Sequence, residues 1–135
     1  MTAIIIGNFT ETRNVTIKFA KAIPENLYDS YVASEIYHIS QGVAVWMDGA
    51  MQDGKGLYVE TSEKKELMKL LRASQVRILD YWEAIADAPV SERGFLDYVL
   101  YITSHEVHHR ARLAKHLEGQ EVDVPFMPRC YPKLT

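Results

Sequence analysis

Leu67, Leu71, Ser74, Ile78, Trp82 and Ile85 recur at steps of three or four residues. That spacing lays one apolar stripe along a helix and does not suit a half-buried strand, whose period is two. A stripe this long must be covered by other elements, so it commits the chain to packed helices. It predicts a helix over 62–86, capped by Thr61 or Ser62, with Glu63 and Glu66 at the positive end of the dipole and Pro89 closing the segment. A last helix is expected over 93–118, with Ser91 as a cap and Gly119 as a stop, ahead of an irregular tail marked by Pro125, Pro128 and Pro132. Another is expected over 29–51, interrupted mildly by Gly42 and Gly49.

Residues 3–22 carry Ile4, Ile5, Ile6, Val15, Thr16 and Ile17, a β-branched content that would also suit strands. A helix is expected there because three striped helices need a fourth to close a core. Residues 53–60, with Gly54 and Gly56, exceed what a tight hairpin needs. About ten extended residues reach ~33 Å, enough to cross a bundle from end to end and leave the second and third helices parallel. The expected fold class is therefore all-α, a four-helix bundle in one domain spanning 1–135.

A net charge of -3 without a Lys/Arg cluster argues against a nucleic-acid partner. The apolar runs 3–6 and 42–47 are too short to span a bilayer, and the start lacks the pattern of a signal peptide. The single cysteine, Cys130, excludes an intrachain disulfide. A cytoplasmic protein without a membrane partner is the expectation. Tyr98, Tyr101, Trp46 and Trp82 are read as core or dimer contacts.

Chemistry concentrates in Ser104-His105-Glu106-Val107-His108-His109-Arg110. On a helix His105 and His109 lie ~40° apart around the axis and ~6 Å along it, close enough to share one ion. They fall on the face shared by Phe95, Tyr98, Ile102 and Leu113. His108 falls toward the edge, at ~-60°, and His116 lies more than ~10 Å along the axis from His109. His38, far upstream, is expected on the buried side of its own helix. Three inward histidines make a metal site with open positions a stronger expectation than three hydrogen-bonded core residues.

The run His105-Glu106-Val107-His108-His109-Arg110-Ala111-Arg112, followed by Leu117-Glu118-Gly119 and Val124-Pro125, resembles the last helix of the DinB-like (DinB/YfiT) family. Glu35-Ile36-Tyr37-His38-Ile39 resembles that family's helix-two histidine, with weaker echoes at Phe9-Thr10-Glu11-Thr12-Arg13 and Leu27-Tyr28-Asp29. The resemblance implies an up-down-down-up bundle, one divalent metal on His38, His105 and His109, and a homodimer. It also implies a small-molecule substrate, a low-molecular-weight thiol among the candidates, since some relatives are thiol-dependent transferases or isomerases. The chain departs from the family at Ala111-Arg112, where Gly-Gln is usual. Arg112 falls at ~-20° on the wheel of His105, toward a cavity mouth, where it would favour an anionic substrate or pair with Glu35.

Imidazole ligands suit zinc or nickel first, with iron and manganese next. Metal activation of a thiol or water for attack on a small electrophile is the expected reaction, a transferase or hydrolase, with Glu35 or Glu106 as orienting group or proton acceptor. Two rivals share these residues. His105-Glu106-Val107-His108-His109 satisfies the metalloprotease pattern H-E-x-x-H, but Arg112 and Lys115 break its longer form and no sheet is expected. Glu35-x-x-His38 and Glu106-x-x-His109 suit a ferritin-like di-iron site, which needs two further inward glutamates. Glu11 is one candidate; on the third helix Glu66 and Glu83 point outward, and Glu63 stands in the first turn. A helical interaction module with structural histidines is the non-catalytic alternative.

Overall fold

The computed structural model describes residues 2–85 and 93–122. Its helices are α1 (Thr2–Ala22), α2 (Ser30–Gly49), α3 (Lys64–Ile85) and α4 (Arg93–His116). The β-branched start is helical throughout. Ile5, Ile6, Phe9, Phe19, Ala20 and Ile23 are buried at helical spacing, and that burial outweighs propensity differences of a few tenths of a kcal/mol. Asp29 caps α2 by accepting the Val32 N–H at 2.9 Å. The third helix begins two residues later than expected, because the Thr61 hydroxyl takes the Glu63 N–H in a local turn. Gly119, at φ +88°, ends the C-terminal helix in the left-handed region that favours glycine. Pro89, Ser91, Pro125, Pro128, Cys130 and Pro132 lie outside the described residues.

Two apolar clusters stack along the bundle. One gathers Phe19 of α1 and Ile23 just past its end, Ile36 of α2, Leu67 and Leu71 of α3, and Leu113 of α4. The other gathers Ile5 and Phe9, Val43 and Met47, Ile78, and Phe95 with Ile102. The end of α1 thus meets the starts of α2 and α3 and the end of α4. The order is up-down-down-up, with α2 and α3 parallel. Around the bundle the neighbours run α1, α4, α2, α3.

Parallel neighbours require the crossover, residues 50–63, and the chain holds it in place. Arg77 of α3 donates to Asp53 at 2.6 Å and to the Gly56 carbonyl at 2.8 Å. Tyr37 of α2 donates to the Tyr58 carbonyl at 2.8 Å, and Gln41 accepts the Tyr58 N–H at 2.9 Å.

Between the two clusters lies a polar layer. Arg13, fully buried, donates through Nε and Nη2 to Glu106 at 2.8–3.0 Å and through Nη1 to the Leu71 carbonyl and Ser74 Oγ. Arg110, also buried, donates to the Thr12 carbonyl at 2.9 Å. Gly42 sits at this level in the interior of α2. A Cβ there would meet nothing within 4 Å, so packing does not demand a glycine that costs roughly 0.5–1 kcal/mol against alanine. No helix of the described residues is long and apolar enough to cross a membrane.

Candidate metal centre

Helices α2 and α4 run antiparallel and face each other with two stripes of residues at steps of three and four. Tyr31, Glu35, His38, Gly42 and Trp46 lie along α2; His116, Arg112, His109, His105, Tyr101 and Tyr98 lie along α4 in the opposite direction. The pairing is regular. Tyr31 stacks on His116, Glu35 meets Arg112 and His109, His38 meets His109 and His105, and Trp46 stacks on Tyr98.

At the middle of this ladder the side chains of His38, His105 and His109 bring one nitrogen each to within 4.8 Å of one another. Among the described residues they are the one group of three or more His, Cys, Asp or Glu that could hold an ion. The Nε2 atoms of His105 and His109 stand 3.0 Å apart. Two nitrogens bound at ~2.0–2.1 Å to one ion, at bond angles of ~90–110°, lie ~2.9–3.4 Å apart, so the pair already has the separation of shared ligands. His38 sits at the exposed rim rather than on the buried side expected for it. It lies one residue short of Ile39, ~100° around the axis from the apolar stripe, which leaves its ring at the edge of the groove.

Glu35 is buried and its carboxylate meets Nδ1 of His109. A carboxylate only accepts, so Nδ1 carries the proton and, in the neutral ring, Nε2 presents a lone pair toward His105. The other oxygen of Glu35 pairs with Arg112 Nη2 at 3.1 Å, and Arg112 also reaches the Tyr31 hydroxyl at 3.2 Å. The expected pairing of Arg112 with Glu35 is present, at a half-exposed mouth. Burial holds His38 and His105 below the ordinary histidine value; the neighbouring His109 adds to the effect at both, and Arg112 adds to it at His38. Neutral imidazole is the ligating form.

Glu106 lies elsewhere. Both of its oxygens are taken by Arg13 inside the core, away from the histidine nitrogens. His116 bonds Asp29 at 2.9 Å, and His108 stands exposed with its ring 5.3 Å from that of His109. Tyr98 is buried as expected, whereas Tyr101 is 62 % exposed and stacks on His105. The second-metal carboxylates are missing: Glu11, Glu63, Glu66 and Glu83 are all exposed, and Glu106 is committed to Arg13. A peptidase base at Glu106 meets the same obstacle, and the described residues contain no strand to hold a peptide.

Arg13, which the sequence brings in only through the weak first-helix resemblance, is the buried partner of Glu106. Its signal was present, since Arg13 follows Phe9 by four residues on the buried stripe of α1.

No family model, no curated protein and no solved structure matches this chain.

Proposed function

We propose that this chain is a DinB-like metalloprotein that binds one divalent ion through His38, His105 and His109 and activates a low-molecular-weight thiol or water for attack on a small electrophile. The observation that carries the reading is the convergence of three imidazole nitrogens on one point, with a buried carboxylate behind one of them. Zinc or nickel suits the all-imidazole set best. Bound there, a divalent ion would supply Lewis acidity, bringing a coordinated water toward pKa ~7 and favouring thiolate over thiol.

The chain's own groups prepare that chemistry. Glu35 fixes the tautomer and aim of His109, and Arg112 fixes Glu35 in turn. Arg13 and Glu106 hold α4 in rotation and height, so the histidine pair is presented to α2 rather than to solvent. His38, alone on the opposite helix, closes the set. Three protein ligands leave coordination positions for a substrate.

Elemental analysis after dialysis tests the reading directly. One zinc or nickel per chain in the wild type, and well under one in His38→Ala and His105→Ala, is the expected result. A wild type that retains no metal, and whose melting temperature is unmoved by added zinc or nickel, overturns it. Two ions per chain would favour the di-iron arrangement instead.

A further inference from the structure

The crossover and the outer face of α3 enclose a cavity of about 370 Å³, lined by Lys55 and Tyr58 of the crossover and by Arg72, Ala73, Val76 and Arg77 of α3. It lies across the bundle from α4 and includes none of the three histidines. Its volume falls at the lower end of the ~300–1,000 Å³ typical of small-molecule sites. Tyr58, Ala73 and Val76 give it apolar walls, with Val76 51 % exposed on the solvent side of its helix. These walls are held in place. Gln41 and Tyr37 fix the Tyr58 N–H and carbonyl, and the Arg77 guanidinium lies over the Tyr58 ring, 5.6 Å from its centre. A ligand entering here need not order the crossover first, which removes part of the entropic cost of binding.

Charge decides the kind of ligand. Lys55, Arg72 and Arg77 all line the cavity, and no carboxylate does. Arg77 is answered by Asp53, whose two oxygens accept from its Nε and Nη2. Lys55 and Arg72 are exposed and form no ion pair among the described residues. Two uncompensated cations therefore meet at one cavity of a chain whose net charge is -3. The other cavities along the crossover differ. One of about 410 Å³ sets Asp53 and Asp80 beside Lys55 and Arg77, and one against the start of α2 holds Glu60 and Glu63 with no cation. Only the cavity at Arg72 has the sign that gathers an anion.

We propose that this cavity binds a small organic phosphate monoester, its phosphate between Lys55 and Arg72 and its apolar body against Tyr58, Ala73 and Val76. A phosphate monoester carries a charge of roughly -1.5 to -2 at pH 7, which answers both cations, whereas a carboxylate answers one. The planar guanidinium of Arg72 suits two phosphate oxygens, and the Lys55 ammonium adds a point charge. The apolar walls then favour an ester over the free inorganic ion. The site is separate from the histidine trio and does not depend on a metal there.

Isothermal titration of the full chain with phenyl phosphate, inorganic phosphate and neutral phenol tests this. Phenyl phosphate is expected to saturate one site per chain, at concentrations about tenfold below inorganic phosphate, with phenol silent. Arg72→Ala and Lys55→Ala should each weaken phenyl phosphate by about tenfold, the usual loss of one charge-assisted contact. Neither change should move the melting temperature, because neither side chain holds a partner in the fold. Val76→Glu, which sets a like charge in the wall, should abolish binding, and His105→Ala should bind phenyl phosphate as the wild type does. No saturable binding of phenyl phosphate, or binding unchanged in both Arg72→Ala and Lys55→Ala, overturns the proposal. Equal binding of phenyl phosphate and inorganic phosphate reduces the site to two surface cations and also overturns it. Binding lost in His105→Ala but kept in Arg72→Ala places the anion at the histidine trio, which overturns this site and leaves the metal reading standing.

Discussion

Glu35 and His109 face each other across the α2–α4 groove, with the buried carboxylate on Nδ1 and the free face of the ring, Nε2, turned toward His105. The relationship decides which nitrogen of His109 is available. It also joins two helices whose contact residues stand 74 positions apart in the chain. A carboxylate behind a ligand imidazole raises its basicity and restricts its rotation, and removing such a partner typically costs 10–100-fold in metal affinity.

Glu35→Gln should therefore bind zinc roughly 10–100-fold more weakly than the wild type, while still binding one ion per chain. The amide can still accept from Nδ1–H, so the ring keeps its aim but loses the charge behind it. Competition against a chromophoric chelator measures the difference. Unchanged affinity would remove Glu35 from the site. Loss of all binding would make it a ligand rather than an orienter.

The polar layer makes a separate prediction about stability. Arg13 is fully buried and donates to Glu106, Ser74 and the Leu71 carbonyl inside the core, so removing the Glu106 carboxylate leaves a guanidinium without its counter-charge. Glu106→Leu should destabilise the bundle by about 3–5 kcal/mol, the usual cost of breaking a buried pair from one side. The double variant Arg13→Met/Glu106→Leu should recover most of that loss, because an apolar replacement of both partners removes the stranded charge. Urea unfolding of the three proteins forms the comparison. A double variant as unstable as the single one would mean that the pair contributes net stability of its own.

Proton competition follows from the two histidines that burial holds below their ordinary value of 6.5. A depressed histidine pKa means that the folded site resists protonation. The contribution of His38 and His105 to folding is present above 6.5 and is lost as pH falls through their lowered values. For the same reason, these two ligands should surrender metal to protons only below pH 6.5, not at neutrality. Calorimetric titration with zinc between pH 8 and 5, corrected for buffer protonation, should show proton release on binding to increase as pH is lowered. Substantial release from these two rings at pH 8 would contradict the burial seen here.

Much of this architecture is legible in the chain because it is written in helical period. The stripe of α3, the helix boundaries set by Asp29 and Gly119, and the shared face of His105 and His109 all follow from spacing alone. What spacing cannot give is the partner of a buried charge. Glu106 falls ~100° from His105, close to Leu113 and Phe95 on the core side, so its burial was readable from the wheel. That Arg13 meets it there depends on α1 and α4 being neighbours, a contact between residues 93 positions apart. His38 shows the opposite limit. A wheel gives the direction of a Cβ within a few tens of degrees, and at the edge of a stripe that uncertainty separates a rim residue from a core residue.

The crossover offers the last prediction, because its anchor lies far from the metal centre. Arg77 and Asp53 pair at 2.6 Å with side chains only 3 % and 8 % exposed. The guanidinium, through its hydrogen bond, holds the Asp53 carboxyl below its ordinary value of 3.8, and the Lys55 N–H assists. A depressed carboxylate contributes stability that is present above its unfolded value and lost as pH falls through the folded one. Stability from this pair should therefore be constant from neutrality down to about pH 5 and decline below pH 4, where the unfolded chain takes up the proton first. Asp53→Asn should destabilise the fold by about 3 kcal/mol at pH 7, the low end for breaking a buried pair, and should flatten the acid limb of the stability profile. Zinc affinity should be unchanged in the folded variant, since the crossover contributes no ligand. Urea unfolding from pH 7 to 3, run beside a zinc titration, tests both halves. A variant that keeps its stability but loses metal would mean that the crossover governs the groove rather than the α2–α3 packing.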